Sequence, residues 1–428
     1  MKSISIYIHI PFCVKKCQYC DFLSAPADSR AQEVYLRALK QEIREQAARY
    51  REYEVQTVFI GGGTPTAVPC ENLCEVLKTV FSFYRMNPHA EISMEANPGT
   101  VTKEALLSYR KAGINRISIG LQSADDMELK LLGRIHTYRD FQQTYRWAQE
   151  AGFTNINLDI MSALPGQSVE NYKKTLETVL SLKPQHISAY SLIVEEGTPF
   201  YEKYGQESEK LQATGEKQPD LPSEEEEREM YALTEKLLAA AGYHRYEISN
   251  YALPGRECRH NLVYWKRGNY VGFGLGAASM VENVRFENIR EMQEYLAEYA
   301  GMPDAEPVFA EVAQGDAQVL SNEQELSLRE DTHSENEQEL SIRENVHPLS
   351  PQEQMEETMF LGLRLTEGVS KAEFHRQFGV SMEQIYGEVI RKNTAKGLLI
   401  DEAGYVCLTR EGMDLSNYVM AQFLLDEV

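Results

Sequence analysis

The amino-acid sequence predicts an α/β protein: a barrel, open or closed, of at least six β-α repeats, with an added α+β segment and a C-terminal winged-helix-like unit. Three observations carry that expectation. Strand-like and helix-like segments alternate from residue 3 to residue 192, which argues a parallel sheet with crossover helices. The number of repeats suits a barrel better than a small sheet. At 428 residues the chain can bury one large core and a second, smaller one.

The first strand is SISIYIHI (3–10), and a long helical stretch follows over roughly 30–52. TVFIGGG (57–63) is a strand that ends in glycines. Helical patterns at 71–84, 102–112 and 138–152 alternate with the strands EISMEA (91–96), NRISIGL (115–121) and NINLDIM (155–161). A helix near 169–182 leads to HISAYSL (186–192). At 206–227 the chain turns polar and acidic, ending in SEEEE (223–227). This reads as a solvated loop entering a helix, whose N-terminal dipole suits carboxylates. A helix near 226–241 and a strand YHRYEIS (243–249) complete a first domain over 1–250, and 251–305 completes its core.

Residues 306–350 differ. NEQELSLREDTH (322–333) recurs as NEQELSIRENVH (336–347). The segment is rich in Glu, Gln, Ser and Asn with few aromatics, a composition that predicts a disordered or loosely helical insert. From 351 to 428 the pattern is helix (352–363), helix (370–377), helix (381–395), then LLIDEAGYVCLT (398–409). The last reads as a hairpin with Ala403-Gly404 at its turn, and a final helix follows. This is the winged-helix-like unit.

The formal charge of −22, from 43 basic and 65 acidic side chains, repels phosphate backbones and anionic headgroups, so no nucleic-acid partner is expected. No run of eighteen apolar residues suggests a membrane span. The opening MKSISIYIHIPFC alternates and is interrupted by His9, unlike a signal peptide. A cytoplasmic location follows, where thiols stay reduced. Of seven cysteines, three crowd into a short loop, which points to metal rather than disulfides.

Those three, Cys13, Cys17 and Cys20, give C-x3-C-x2-C directly after the first strand. Lys15 and Lys16 between them favour thiolates, the ligating form. Three thiolates on one loop can hold three irons of a cubane and leave the fourth open to an amine and a carboxylate. The alternatives are plain thiols and zinc, which needs four ligands, the fourth from His9 or farther away. The arrangement resembles the radical S-adenosylmethionine superfamily. That resemblance implies a partial (β/α)6 barrel, an oxygen-sensitive 4Fe-4S cluster on Cys13, Cys17 and Cys20, and S-adenosylmethionine held at the open iron. It also implies an electron donor such as a flavodoxin or ferredoxin, and homolysis to a 5'-deoxyadenosyl radical.

Gly61, Gly62 and Gly63 precede Thr64 and Pro65. Glycines at a strand end let backbone approach a ligand closely, although a flexible turn would use them too. In the superfamily this turn lies along the methionyl amino group, which makes Gly62, Gly63 and Thr64 cofactor contacts. YIHIPFC (7–13) is similar to the opening of the oxygen-independent coproporphyrinogen III oxidase group and makes Tyr7 a further contact, with Tyr19 against adenine. MEANP (94–98) supplies Glu95, for ribose hydroxyls or the amino group. GLQS (120–123) supplies Gln122, LLGRIH (131–136) Arg134 and NLDI (157–160) Asp159. Each has a structural alternative: caps for Glu95 and Asp159, a surface ion pair for Arg134, a loop tie for Gln122. Their positions at successive strand ends group them, because that face of a β/α barrel carries its site. In LPGQS (164–168), Pro165 and Gly166 read as structural.

Two features depart from the oxidases. Phe22 stands where they carry a further cysteine, and the chain starts almost on the first strand, without their N-terminal extension. HNLVYW (260–265), after Cys258 and before GNYVGFGLGAAS (268–279), resembles the HemW-type haem chaperones, and the likeness runs over nearly the whole chain outside 306–350. It implies haem as cargo, passed to a haem-accepting protein, with membrane contact only through that acceptor. It makes His260 a candidate iron ligand, with Cys258 a second, and Tyr264 and Trp265 stacking partners of the macrocycle. The structural alternative is a loop packed on the barrel, with the imidazole donating to a carbonyl. His9 reads as a core or supporting histidine, and Cys70, Cys74 and Cys407 as buried small residues. Besides haem binding and transfer, two other functions are open: oxidative decarboxylation of coproporphyrinogen III, and regulation through the acidic insert and the C-terminal unit.

Overall fold

The computed structural model describes residues 1–205, 219–299 and 343–425. Strand β1 (Lys2–Ile10) sets the rule for the rest. Ile4, Ile6, Ile8 and Ile10 are buried in the main core, whereas Ser5, Tyr7 and His9 take the opposite face, as a period of two requires. Helix α1 (Ser29–Gln46) starts at Asp28, whose carboxylate accepts the Ala31 N–H, and returns the chain to β2 (Tyr53–Gly62). The alternation continues through α2 (Cys70–Phe83), β3 (Met86–Ala96), α3 (Lys103–Lys111), β4 (Arg116–Gln122), α4 (Asp126–Leu131), α5 (Tyr138–Glu150), β5 (Ile156–Ser162), α6 (Val169–Leu182) and β6 (His186–Ser191). Strands β1 to β6 are parallel and adjacent in chain order.

After α7 (Pro199–Tyr204) comes α8 (Glu224–Ala240), entered through the expected acidic run: Ser223 and Glu226 cap it reciprocally. The antiparallel strands β7 (His244–Arg245) and β8 (Asn250–Ala252) extend the β6 edge. Helix α9 (Arg259–Trp265) leads to β9 (Tyr270–Phe273), which pairs in parallel with β1. Strands β10 (Ala278–Val281) and β11 (Val284–Asn288) follow, and beyond α10 (Met292–Glu298) strand β12 (Arg343–Pro348) adds to that edge. The described residues thus form an open, mixed, twelve-stranded sheet rather than a closed barrel.

Three expectations change in detail. YHRYEIS (243–249) is not one strand. Buried Glu247 accepts the Ser249 N–H at 2.9 Å, and the turn it closes separates β7 from β8. The short helices α4 and α7 had no clear periodicity. The acidic insert lies outside the described residues except for 343–350, where β12 pairs with β11.

The C-terminal unit comprises α11 (Pro351–Gly362), β13 (Val369–Ser370), α12 (Lys371–Phe378), α13 (Met382–Ala395), β14 (Leu399–Glu402), β15 (Tyr405–Leu408), α14 (Arg410–Asp414) and α15 (Ser416–Met420). Its helix–strand–helix–helix–hairpin order is winged-helix-like. Ala403 and Gly404 both take positive φ, 52° and 83°, which matches the right-handed twist of the hairpin. The unit has its own core around Met359, Phe374, Tyr386 and Phe423. It docks on the larger domain through Arg267 and Arg285, which both reach Glu357, at 3.0 and 2.8 Å. Among the described residues no helix is long and apolar enough to cross a membrane.

Candidate cofactor site at the barrel mouth

The inner faces of β1 to β6 enclose a cavity of about 600 Å³, and every residue singled out above for contact with the cluster or S-adenosylmethionine lines it, as does His260. The cysteine loop forms one wall. Its ends are pinned: Cys13 N–H donates to Ala25 O at 3.2 Å and Ala25 N–H to Pro11 O at 3.0 Å. The glycine turn after β2 clasps the same loop, with Gly63 N–H on Ile10 O at 2.9 Å and Thr64 N–H on Phe12 O at 2.7 Å.

Two donors reach the cysteine sulfurs. Thr64 Oγ1 stands 3.5 Å from Cys13 Sγ, and an Arg134 guanidinium nitrogen 3.7 Å from Cys17 Sγ. Burial pushes the Cys20 thiol up to about 11. The Phe22 N–H eases this, Cys17 and Cys13 add to it, and Lys16 opposes it. The lysine effect expected from sequence is real but smaller than burial. The positive charge of bound iron would hold Cys20 as thiolate at neutral pH.

Arg134 also donates to Asn97 Oδ1 at 2.6 Å and Gly120 O at 2.8 Å. Asn97 in turn donates to Thr64 Oγ1 at 2.8 Å, so one relay ties the glycine turn to Arg134. Gln122 sits at the end of β4 with φ of 71°, a left-handed conformation that side-chain-bearing residues adopt only when their surroundings fix it. Its Oε1 accepts the Tyr190 hydroxyl at 3.2 Å. Tyr7 donates to His9 Nδ1 at 3.0 Å. His9 must carry its proton on Nε2, which donates to Leu23 O at 2.9 Å. His9 is thus a supporting histidine.

Glu95 accepts the Gly62 N–H at 3.2 Å. Burial, with the Asp159 carboxylate adding, pushes it up to about 8, against the Gly62 N–H and Arg116. Asp159 accepts from Ser118 at 3.0 Å and Asn157 at 2.6 Å. Burial raises it too, while those hydrogen bonds and Arg116 pull it back. Glu95 prefers its proton in the fold up to about pH 8 but ionises in the unfolded chain like an ordinary carboxyl. The stability gained from the neutral acid is full below the ordinary value and is lost as pH rises to about 8. Between about pH 5 and 9 the unfolding free energy of Glu95→Gln should therefore fall less than the parent's, by a few kcal/mol. Equal declines in denaturant titrations would refute this.

The haem-directed residues are dispersed. His260 is 1% exposed and stacked on Phe59 at 5.2 Å. Thr57 gives its own proton to Ser5, so His260 Nδ1–H donates to Thr57 Oγ1 at 2.7 Å. Nε2 accepts the Tyr264 hydroxyl at 2.8 Å. Burial, with Arg116 adding, lowers the imidazole to about 3. Both ring nitrogens are engaged, so ligating iron would require giving one up. The ring packs α9 on the barrel much as the structural alternative has it, with a hydroxyl rather than a carbonyl as acceptor. Cys258 is buried against Glu91, and Trp265 carries the Arg364 guanidinium 4.5 Å over its ring. Neither lines the cavity, whereas Tyr264 does. Cys70, Cys74 and Cys407 are half-buried rather than buried.

Sequence reasoning missed Asn97, although MEANP contains it two residues after Glu95 and hence on the same face. It also missed Glu91. That carboxylate accepts the N–H groups of Arg259 and His260, at 3.1 and 3.2 Å, and so caps α9, which has no capping side chain of its own. Arg116, Ser118 and Asn157, on the cavity side of β4 and β5, looked like ordinary strand polar positions.

Comparison with known proteins follows from this geometry. The Radical SAM superfamily model matches residues 7–179, and the HemN C-terminal domain matches 349–415. The heme chaperone HemW of Bacillus subtilis (strain 168) is 36% identical over 421 residues, covering 98% of this chain and 99% of that protein. The chain belongs to the HemW family. The HemW of Lactococcus lactis subsp. lactis (strain IL1403) is 33% identical over 430 residues, covering 100% and 99%. Coproporphyrinogen III oxidase (HemN) from Escherichia coli, described as a radical SAM enzyme, superposes with a TM-score of 0.77 over 99% of this chain and 90% of its own, at 21% identity. That likeness shows the fold alone.

The residues of this HemW-family chain fit a cluster. The three cysteines are free and line one cavity wall. A Cβ on Gly63 would fall 2.9 Å from Cys13 Sγ, so the turn has been kept bare beside the sulfur. Among the described residues no three His, Cys, Asp or Glu side chains converge on a single ion. Three cysteines supply one ligand to each of three corners of a cubane, and fall one short of the four that a structural zinc takes.

Proposed function

We propose that the chain is a haem chaperone of the cytoplasm: it binds haem in the barrel cavity and delivers it to an acceptor protein. The observation that carries this reading is the end-to-end match to a heme chaperone, 98% of this chain on 99% of the relative. In this reading 1–250 forms the cofactor barrel, 251–305 completes it, and 351–428 is a separate unit beyond the insert.

Cys13, Cys17 and Cys20 hold a 4Fe-4S cluster. With S-adenosylmethionine and an electron from a flavodoxin or ferredoxin, the cluster supplies one-electron chemistry. Thr64 and Arg134 donate to two of the sulfurs and so stabilise their negative charge. Gly62 and Gly63 let backbone approach the cofactor's methionyl end, and Glu95 accepts from its amino group or ribose. Gln122 and Asp159 line the same cavity. Tyr7, aimed by His9, and Tyr19 pack on the cofactor. Phe22, 59% exposed at the rim, presents a ring where a cysteine would present a thiol.

Anaerobic reconstitution tests the reading. The protein with cluster and S-adenosylmethionine should take up haem stoichiometrically, and should release no carbon dioxide from coproporphyrinogen III under reductant. Carbon dioxide release would overturn it in favour of the decarboxylase. His260 acts as an iron ligand only if Tyr264 releases Nε2. An unchanged haem titration for His260→Ala retires that role.

A further inference from the structure

Arg116 opens β4 at the floor of the cavity and is 2% exposed. A buried guanidinium demands partners, because removing its charge from water is costly unless hydrogen bonds replace the solvent. It makes no hydrogen bond among the described residues and its buried Nε is left without an acceptor, although Glu91 and Asp159 act on its charge from nearby. The nearest anions are already used. Glu91 is committed to the N–H groups of α9 and to Ser93, and Asp159 to Ser118 and Asn157. Asn250, also lining the cavity, has a buried Oδ1 with no partner, an acceptor that calls for a donor and offers a carboxylate nothing. Ser118 and Ser188 stand beside them as small hydroxyls.

This is a cation held ready for a ligand anion. A single planar fork with five donors matches a carboxylate edge-on. It also lies toward the other end of β4 from the cysteine loop: Gly120, whose carbonyl holds the arginine that reaches Cys17, is four positions farther along the strand. Arg116 and Gln122 end the same strand six positions apart, which at 3.3 Å per residue is about 20 Å. A ligand carboxylate on Arg116 therefore belongs to a molecule reaching down the lumen.

We infer that Arg116 is the seat of a ligand carboxylate at the floor of the cavity, and that this carboxylate is a haem propionate. The assignment to haem rests on the function proposed above. The methionyl carboxylate of S-adenosylmethionine is the other source of the same chemistry, and the two are separable.

The test compares haem, haem dimethyl ester and S-adenosylmethionine, titrated into the full-length, cluster-reconstituted protein. The parent should bind haem about ten- to a hundredfold more tightly than the ester, the range for hydrogen bonds to a charged group. Arg116→Gln should lose that preference while keeping the parent's iron content and affinity for S-adenosylmethionine. Arg116→Lys, which keeps charge but not the fork, should fall between. Equal affinity of the parent for haem and ester overturns the inference without any variant. So does Arg116→Gln with undiminished preference, or a loss confined to S-adenosylmethionine. A parent that binds no haem at all overturns the proposed function, and this inference with it.

Discussion

Cys17→Ala should leave the protein folded and without its cluster. Removing one of three thiolates strips an iron of its protein ligand, and the remaining pair, Cys13 and Cys20, cannot hold a cubane against solvent. After anaerobic reconstitution we expect iron and sulfide at a small fraction of the parent's, no low-temperature EPR signal on reduction, and affinity for S-adenosylmethionine weakened at least about a hundredfold. The fold should tolerate the change. Cys17 is half-buried, and the guanidinium that donates to its sulfur keeps its stronger bonds to Asn97 and Gly120, at 2.6 and 2.8 Å. The unfolding free energy of the metal-free variant, from denaturant titration, should lie within about 1 kcal/mol of the metal-free parent's, as for a substitution that leaves neither a large cavity nor a buried orphan. Cys258→Ala is the matched control. That thiol is buried on Glu91, off the cavity, so its loss should cost stability and spare the cluster. A reduced Cys17→Ala protein with the parent's EPR spectrum would end the cluster assignment.

What the sequence disclosed of this molecule follows from periodicity and spacing. Strands buried on one face by isoleucines and turned inward by Ser5, Tyr7 and His9 write a period of two that is readable without coordinates. The cysteine loop was legible because all its ligands lie within one turn of chain. Gln122, Arg134 and Asp159 were legible only through family likeness, since a polar residue at one strand end has several structural uses. What escaped reading depends on partners distant in sequence. The parallel pairing of β9 with β1 joins residues some 265 positions apart, such as Ser5 and Tyr270. The cap that Glu91 supplies to α9 spans 168 positions. The quiet state of His260 comes from Thr57 and Tyr264, and HNLVYW names only one of them. Arg116 was invisible for a different reason: an arginine in a strand usually finds a carboxylate, and here the nearby carboxylates are turned to other donors.

Gly63→Ala should break the clasp between the glycine turn and the cysteine loop. The residue's φ is not in the left-handed region, since only Gly62 of the three glycines takes positive φ, so alanine meets no torsional penalty and the argument is purely one of space. A Cβ there would stand 2.6 Å from Phe12 O, 2.8 Å from Ser24 Cβ and 2.9 Å from Cys13 Sγ. The nearest of these is backbone and cannot rotate away. Relief must come from separating the turn from the loop, which stretches the 2.9 Å and 2.7 Å hydrogen bonds from Gly63 and Thr64 to Ile10 and Phe12 and moves Cys13 out of line. Overpacking of this kind costs about 1–3 kcal/mol. The cluster should suffer more than the fold does: we expect reduced iron retention and faster bleaching in air than in the parent. Gly61→Ala provides the contrast. The nearest atoms to its Cβ would be side-chain atoms of Phe59 and Glu95, at 2.9 and 3.0 Å, which can shift. That variant should keep the cluster and lose affinity mainly for S-adenosylmethionine, through Glu95. If Gly63→Ala retains iron and air stability like the parent, the turn is no cradle for the cysteine loop, and the clasp is incidental to cluster binding.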